Sequence, residues 1–208
     1  QSCWEKRYTP FLMLKKSIIF LTIFFIPSFA YSKNNNALIE KFLIKFKSIN
    51  NIEFDFTQTT NDIIENGKCF LSYPKKLICR YEGEEGKEII VKNDALVIIK
   101  RKFQRVYYYR VANSPFATIL HKIKIINQIK NINDIKNKNN LLTISFASDE
   151  NSPSLDLIIT KDTLDIAGWK TTGYDAQTVN FNILNSRINV ENKEKFEIPN
   201  FDLLGNRN

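Results

Sequence analysis

The stretch Gly67 to Gly83 reads GKCFLSYPKKLICRYEG and sets Cys69 and Cys79 each five residues from Pro74. Two cysteines so placed suit a metal site, a redox pair or a structural staple. A metal site needs further Cys or His ligands. The rest of the sequence offers one more cysteine, Cys3, and one histidine, His121. Around Pro74, Cys69, Leu71 and Tyr73 alternate with Lys68, Phe70 and Ser72, and Leu77, Cys79 and Tyr81 alternate with Ile78, Arg80 and Glu82. Alternation on both sides of a Pro-containing turn predicts a β-hairpin. Equal distances from the turn set the cysteines opposite each other, where antiparallel partners come within about 4.5–5.5 Å. The favoured reading is a disulfide staple, with two unpaired buried thiols as the alternative.

Other residue types invite chemistry and fail on context. Ser72-Tyr-Pro-Lys75 has the S-x-x-K spacing of serine acyl-enzymes, and Lys170-Thr-Thr-Gly173 resembles their K-T-G. That chemistry needs the Ser at a helix start with the Lys one turn on, and Pro74 places them in a hairpin turn instead. His121 has no carboxylate beside it in sequence. Asp162 and Asp165 flank a turn and read as solvated. Lys100-Arg101-Lys102 and Arg105 form a basic hairpin tip, either a soluble turn or a dock for an acidic surface. No phosphate loop, dinucleotide fingerprint or zinc motif is present. The sequence predicts no enzyme, no cofactor and no metal.

The surrounding elements are mostly strands. Asn36 reads as an N-cap for a helix over 36–49, in which Leu38, Ile39, Phe42, Leu43, Phe46 and Ile49 fall at helical spacing. Strands are predicted over 52–58, 63–73, 77–82, 87–92, 95–100 and 105–111, separated by turn residues in the manner of an antiparallel meander. Ser114-Pro115 opens a short helix. Residues 123–140 have weak helical spacing. Strands resume over 141–147, 155–161, 163–169 and 177–184. Several strands, such as Ile89–Val91 and Tyr107–Tyr109, are apolar or aromatic on both faces. That pattern suits a sheet covered on both sides or a sheet lining a cavity for a greasy ligand.

The chain ends set the expected compartment. From Met13, two lysines, nine mostly apolar residues (Ile18 to Ile26) and Ala30-Tyr31-Ser32 follow the pattern of a cleaved secretory signal peptide. The expected division is 1–12 upstream sequence, 13–32 signal peptide and 33–208 one domain. Residues 33–208 hold 26 basic and 21 acidic residues, a formal net charge of +5. That is well short of a nucleic-acid-binding charge stripe.

The order of short motifs resembles the periplasmic outer-membrane lipoprotein carrier family, LolA. Phe54-x-Phe56-x-Gln58 is similar to its F-x-x-F-x-Q strand, and Gly67…Tyr73-Pro74-x-x-Leu77…Tyr81 to its G…R-P-x-x-hydrophobic…W/Y hairpin. Ile90-Val91-Lys-Asn-Asp94 resembles its I-V-S-D-G turn, and Ser114-Pro115-Phe116…Ile119-Leu120 its T-P…L-L helix. Asp165…Gln177-Thr178-Val179-x-Phe181 and Phe196-Glu-Ile-Pro199 resemble its last hairpin and close. Tyr73 stands where the family has an Arg tied to cargo release, and Asn93-Asp94 replaces its D-G turn.

The resemblance implies an α+β fold. It consists of a strongly curved antiparallel sheet, an unclosed half-barrel of about nine to eleven strands. A long N-terminal helix and mid-chain helices cover its concave face. It implies a monomeric periplasmic carrier that takes triacylated lipoproteins from an inner-membrane ABC transporter to an outer-membrane receptor, without nucleic acid. It also places Leu77 on the cavity side, so hairpin parity adds Leu71, Tyr73 and Tyr81, with Cys69 and Cys79 as staple. Further lipid-lining candidates are Ile89, Val91, Leu96, Ile98, Phe116, Ile119 and Leu120. Later strands add Ile144, Phe146, Leu157, Ile159, Val179 and Phe181. The alternatives are the outer-membrane receptor or a lipid-sensing regulator of the same fold, a secreted enzyme, and a protein-binding adaptor without a cavity.

Overall fold

A computed structural model describes residues 30–113, 116–130, 132, 135–146, 154–173 and 176–201. The helix α1 (Ala30–Ser48) leads into β1 (Asn51–Thr60), β2 (Ile63–Ser72), β3 (Lys76–Tyr81), β4 (Lys87–Lys92), β5 (Ala95–Lys100) and β6 (Arg105–Arg110). Two short helices follow, α2 (Phe116–Ile119) and α3 (Lys122–Lys130). The chain then forms β7 (Ile135–Lys138), β8 (Leu141–Phe146), β9 (Ser154–Thr160), β10 (Ile166–Thr172) and β11 (Thr178–Ile188). The proposed prefix and most of the proposed signal peptide lie outside the described residues.

All eleven strands make one antiparallel sheet in the order β6-β5-β4-β3-β2-β1-β11-β10-β9-β8-β7. Two meanders run outward in opposite directions, and β1 pairs with β11 to join them at the centre. The link from β6 to β7 must therefore cross the sheet from one edge to the other. It carries α2 and α3, which join α1 on one face.

That face holds the main core. Ile39, Phe42, Leu43, Phe46 and Ile49 of α1 and Ile125 and Ile129 of α3 pack on the sheet's inward residues. The opposite face also carries an apolar cluster: Phe70, Ile78, Ile90, Val97 and Ile99. The tail after β11 covers it with Val190, Phe196, Ile198 and Phe201. The strands that are apolar on both faces thus belong to a sheet covered on both sides.

Several expectations are corrected. The sheet is open and is not strongly curled. Strong curvature needs bulges and glycine kinks along the strands. Among the described residues the ladder has register shifts only between Glu53 and Asp55 and between Ile166 and Gly168, both near the centre. The helix begins at Ala30, so Asn36 is interior to it and caps nothing. The weak pattern over 123–140 resolves into α3 and the short edge strand β7. The strand expected at 163–169 lies at Ile166–Thr172, because Asp162 to Asp165 belong to the preceding turn. Asp165 is not simply solvated: it pairs with Lys45 of α1 at 2.6 Å.

Candidate functional site

The hairpin β2–β3 pairs Cys69 with Cys79, Leu71 with Leu77 and Gly67 with Tyr81. Directly opposed residues share a face, and here a disulfide joins the two cysteines. The register continues outward as Leu77, Val91, Leu96 and Cys79, Ile89, Ile98 across β3, β4 and β5. On the other meander, Leu157 lies between Ile144 and Trp169, and Trp169 lies opposite Phe181. One apolar face therefore spans the sheet from β5 to β8.

Most of the expected lining residues meet on this face. Leu71, Leu77, Tyr81, Ile89, Val91 and Leu96 are buried in one cluster with Ile119 and Leu120. Ile144, Phe146, Leu157, Ile159 and Phe181 belong to it too, while Tyr73 and Ile98 pack against it half-buried. Val179 shares its strand face with Phe181 but lies half-exposed outside the cluster, two residues nearer the strand's end. Phe116 opens α2, and its side chain lies outside the described residues.

The face has an aromatic floor, of which the sequence-based list names Tyr81 and Phe181 and leaves out Phe54, Phe56 and Trp169. Phe56 meets Tyr81 edge-on at 4.9 Å and stacks on Phe181 at 4.6 Å, and Trp169 stacks on Phe181 at 4.2 Å. Phe54 meets Trp169 and Phe181 edge-on. Phe54 and Phe56 were legible from strand alternation, whereas Trp169 depends on the position of β10. Two glycines permit the stack. A Cβ on Gly67 would lie 2.2 Å from the Arg80 carbonyl oxygen and 2.8 Å from the Phe56 ring. Gly168, at φ +154°, lets β10 approach so close that a Cβ would meet the Phe181 carbonyl oxygen at 2.1 Å.

One end of the floor is closed by polar groups. The Tyr81 hydroxyl donates to Gln58 Oε1 at 2.8 Å, and Gln58 Nε2 donates to Glu65 at 3.2 Å. Lys87 Nζ donates to Glu65 at 2.7 Å and sits 4.0 Å from the Tyr81 ring centroid. Burial, and then the nearby Glu65 charge, push the Tyr81 phenol above its ordinary range. Gln58 thus has a specific task, to accept from a buried phenol.

The other end is the hairpin tip under α1. Tyr73 meets Phe46 edge-on at 5.8 Å. Its hydroxyl is buried without a hydrogen-bond partner, and burial raises its pKa. Lys75 N–H donates to the Leu120 carbonyl, and Lys75 Nζ holds Asp94 at 2.9 Å. That bond, rather than burial, holds the Asp94 carboxyl below its usual value. Lys122 Nζ donates to the Ile49 carbonyl at 2.6 Å and to the Lys47 carbonyl, capping the end of α1. Burial lowers the Lys122 pKa. His121, between α2 and α3, is held below its ordinary value by burial, with the Lys75 and Lys124 charges adding to this.

Among the described residues no group of three or more His, Cys, Asp or Glu is placed to hold a metal. What the site can do chemically is bury apolar groups beneath a helical cover. An open antiparallel sheet with an apolar face under helices is the scaffold these residues build. The family described as "Outer membrane lipoprotein carrier protein LolA" matches residues 47–199, and this chain belongs to it.

Among proteins of curated function, none matches. Three solved structures are similar in fold. A LolA superfamily protein from Nitrosomonas europaea shares 6% identity at TM-score 0.40, over 77% of this chain and 97% of that one. MucB of Pseudomonas aeruginosa, solved with MucA, shares 8% at TM-score 0.45, over 80% of this chain and 61% of that one. LprF from Mycobacterium bovis shares 12% at TM-score 0.40, over 77% and 97%. The family and the disulfide accord with an extracytoplasmic location.

Proposed function

We propose that this chain is a periplasmic carrier that takes the acyl chains of triacylated lipoproteins between its helical cover and its sheet. On this reading residues 13–32 export it, residues 33–208 form the carrier, and Leu71, Tyr73, Leu77 and Tyr81 contact lipid. It receives cargo from an inner-membrane ABC transporter and gives it to an outer-membrane receptor. The single observation that carries the reading is the broad apolar face running beneath helices that few polar ties hold down. Among the described residues the ties include Lys45 to Asp165 and Thr163, Asn35 to Asn137, Lys75 to Leu120 and Asn189 to Ser48.

In the structure Phe42 and Phe46 fill the space against the sheet. An acyl chain enters by displacing these rings, trading one apolar contact for another. Each acyl CH₂ removed from water contributes about 0.8 kcal/mol, so a few methylenes offset the lost helix contacts. Release needs the same balance, and a cover made of the chain's own side chains provides it by closing again.

Native mass spectrometry of the full chain with a synthetic triacylated lipopeptide tests the reading. A one-to-one adduct and a changed Trp169 emission are expected. An unchanged free mass across the lipopeptide titration overturns it.

A further inference from the structure

Among the described residues, β6 is the outermost strand on its side, and no strand pairs with its outer edge. An unpaired edge presents backbone N–H and C=O groups, which proteins shield with proline, bulges or lysines along the strand. β6 reads RVYYYR and pairs with β5 without a register shift. It has no proline, bulge or lysine, and its two charged residues, Arg105 and Arg110, stand at its ends and leave the middle of the edge uncharged. Tyr108 and Tyr109 are 66% and 53% exposed. Tyrosine and arginine are the residue types that dominate binding hot spots.

The nearby cations are already committed. Lys100 pairs with Glu85, Arg101 with Glu88 and Lys102 with Glu84. Arg105 and Arg110 have no carboxylate partner among the described residues. Strand alternation puts Arg105 with Tyr107 and Tyr109 on the helix side, and Arg110 with Val106 and Tyr108 on the other. On that second side a groove of about 410 Å³ runs beside Tyr108, with the polar Gln104 and Asn200 in its walls as well as Val106, Ile198 and Phe201.

We propose that the β6 edge takes an extended acidic segment of a partner protein as a twelfth strand. Backbone hydrogen bonds supply the affinity, and the mixed polar and apolar groove beside Tyr108 receives a side chain of the incoming strand. Arg105 and Arg110 select carboxylates by charge-assisted bonds, one on each face. An anionic bilayer matches the charge but has no backbone to pair the open edge and no side chain for the groove. The inference stands independently of the lipid-carrier reading.

The test uses the full chain and a fluorescent synthetic peptide alternating glutamate and valine, followed by anisotropy. Saturable binding at about micromolar to tens of micromolar peptide is expected, with hydrogen exchange slowed at the β6 amides. Arg105→Glu with Arg110→Glu weakens it by about tenfold or more while circular dichroism stays unchanged. The lysine–valine counterpart does not bind. No binding up to ~1 mM peptide, or binding without β6 protection, overturns the proposal. So does binding to phosphatidylglycerol vesicles without binding to the peptide, which would assign the strand to a membrane surface.

Discussion

Gly67 shows how one missing Cβ governs the floor of the site. Its neighbours leave no space for a methyl group, since the Arg80 carbonyl belongs to the paired strand and the Phe56 ring to the aromatic stack. Gly67→Ala is expected to cost about 1–3 kcal/mol by overpacking, measured as a lower urea midpoint. Glu194 works by charge instead. Arg80 holds its carboxylate through two bonds of 2.8 and 2.7 Å, and this keeps its pKa below the ordinary glutamate range. A carboxylate depressed in the folded state adds stability above the unfolded value and loses it as pH falls through the folded one. Wild type is therefore expected to exceed Glu194→Gln in Tm at pH 7. The gap, at most about 2–4 °C because the guanidinium is half-exposed, closes as pH falls below about 4.

At the scale of elements, the hairpin β2–β3 and the tail each join parts of the fold. The disulfide closes a loop with a sequence separation of 10. Removing it with Cys69→Ala and Cys79→Ala is expected to cost about 2–3 kcal/mol in urea denaturation. Thiol labelling of the denatured, unreduced chain should find one reactive thiol, Cys3, rather than three. The described part of the tail has no helix or strand, yet Phe196 lies 6.4 Å from Phe70 and Lys76 sits over its ring. Arg80–Glu194 pins it in place. It keeps the second apolar face from water without adding a strand.

For the whole molecule, the proposed carrier role turns on the balance between helical cover and sheet. Lys45 donates to Asp165 at 2.6 Å and to the Thr163 carbonyl at 2.7 Å, tying α1 to the β9–β10 turn. Asp165→Asn removes the ion pair and leaves the apolar contacts in place. On the carrier reading it should speed lipopeptide uptake about two- to fivefold, the effect of a partly buried ion pair worth up to about 1 kcal/mol. Stopped-flow Trp169 fluorescence checks this, and an unchanged rate would mean that α1 does not open at this tie.

Short-range patterns carried much of this in the residues themselves. Period-two alternation is a local property, so the strands from Asn51 to Arg110 and the pairing of Cys69 with Cys79 were legible before any fold. Helical spacing likewise exposed the inward face of α1. Three features needed distant parts of the chain. The link from β6 to β7 lays α2 and α3 over the sheet beside α1, and together with Phe42 and Phe46 of α1 they fill that face. The tail meets Ile78, Ile90 and Val97, which lie roughly a hundred residues away, so no local pattern reveals that the second face is covered. The polar seal of Tyr81, Gln58, Glu65 and Lys87 comes from four different strands. Side chains so far apart in sequence become neighbours only through strand register, which local patterns constrain one strand at a time and the assembled sheet settles.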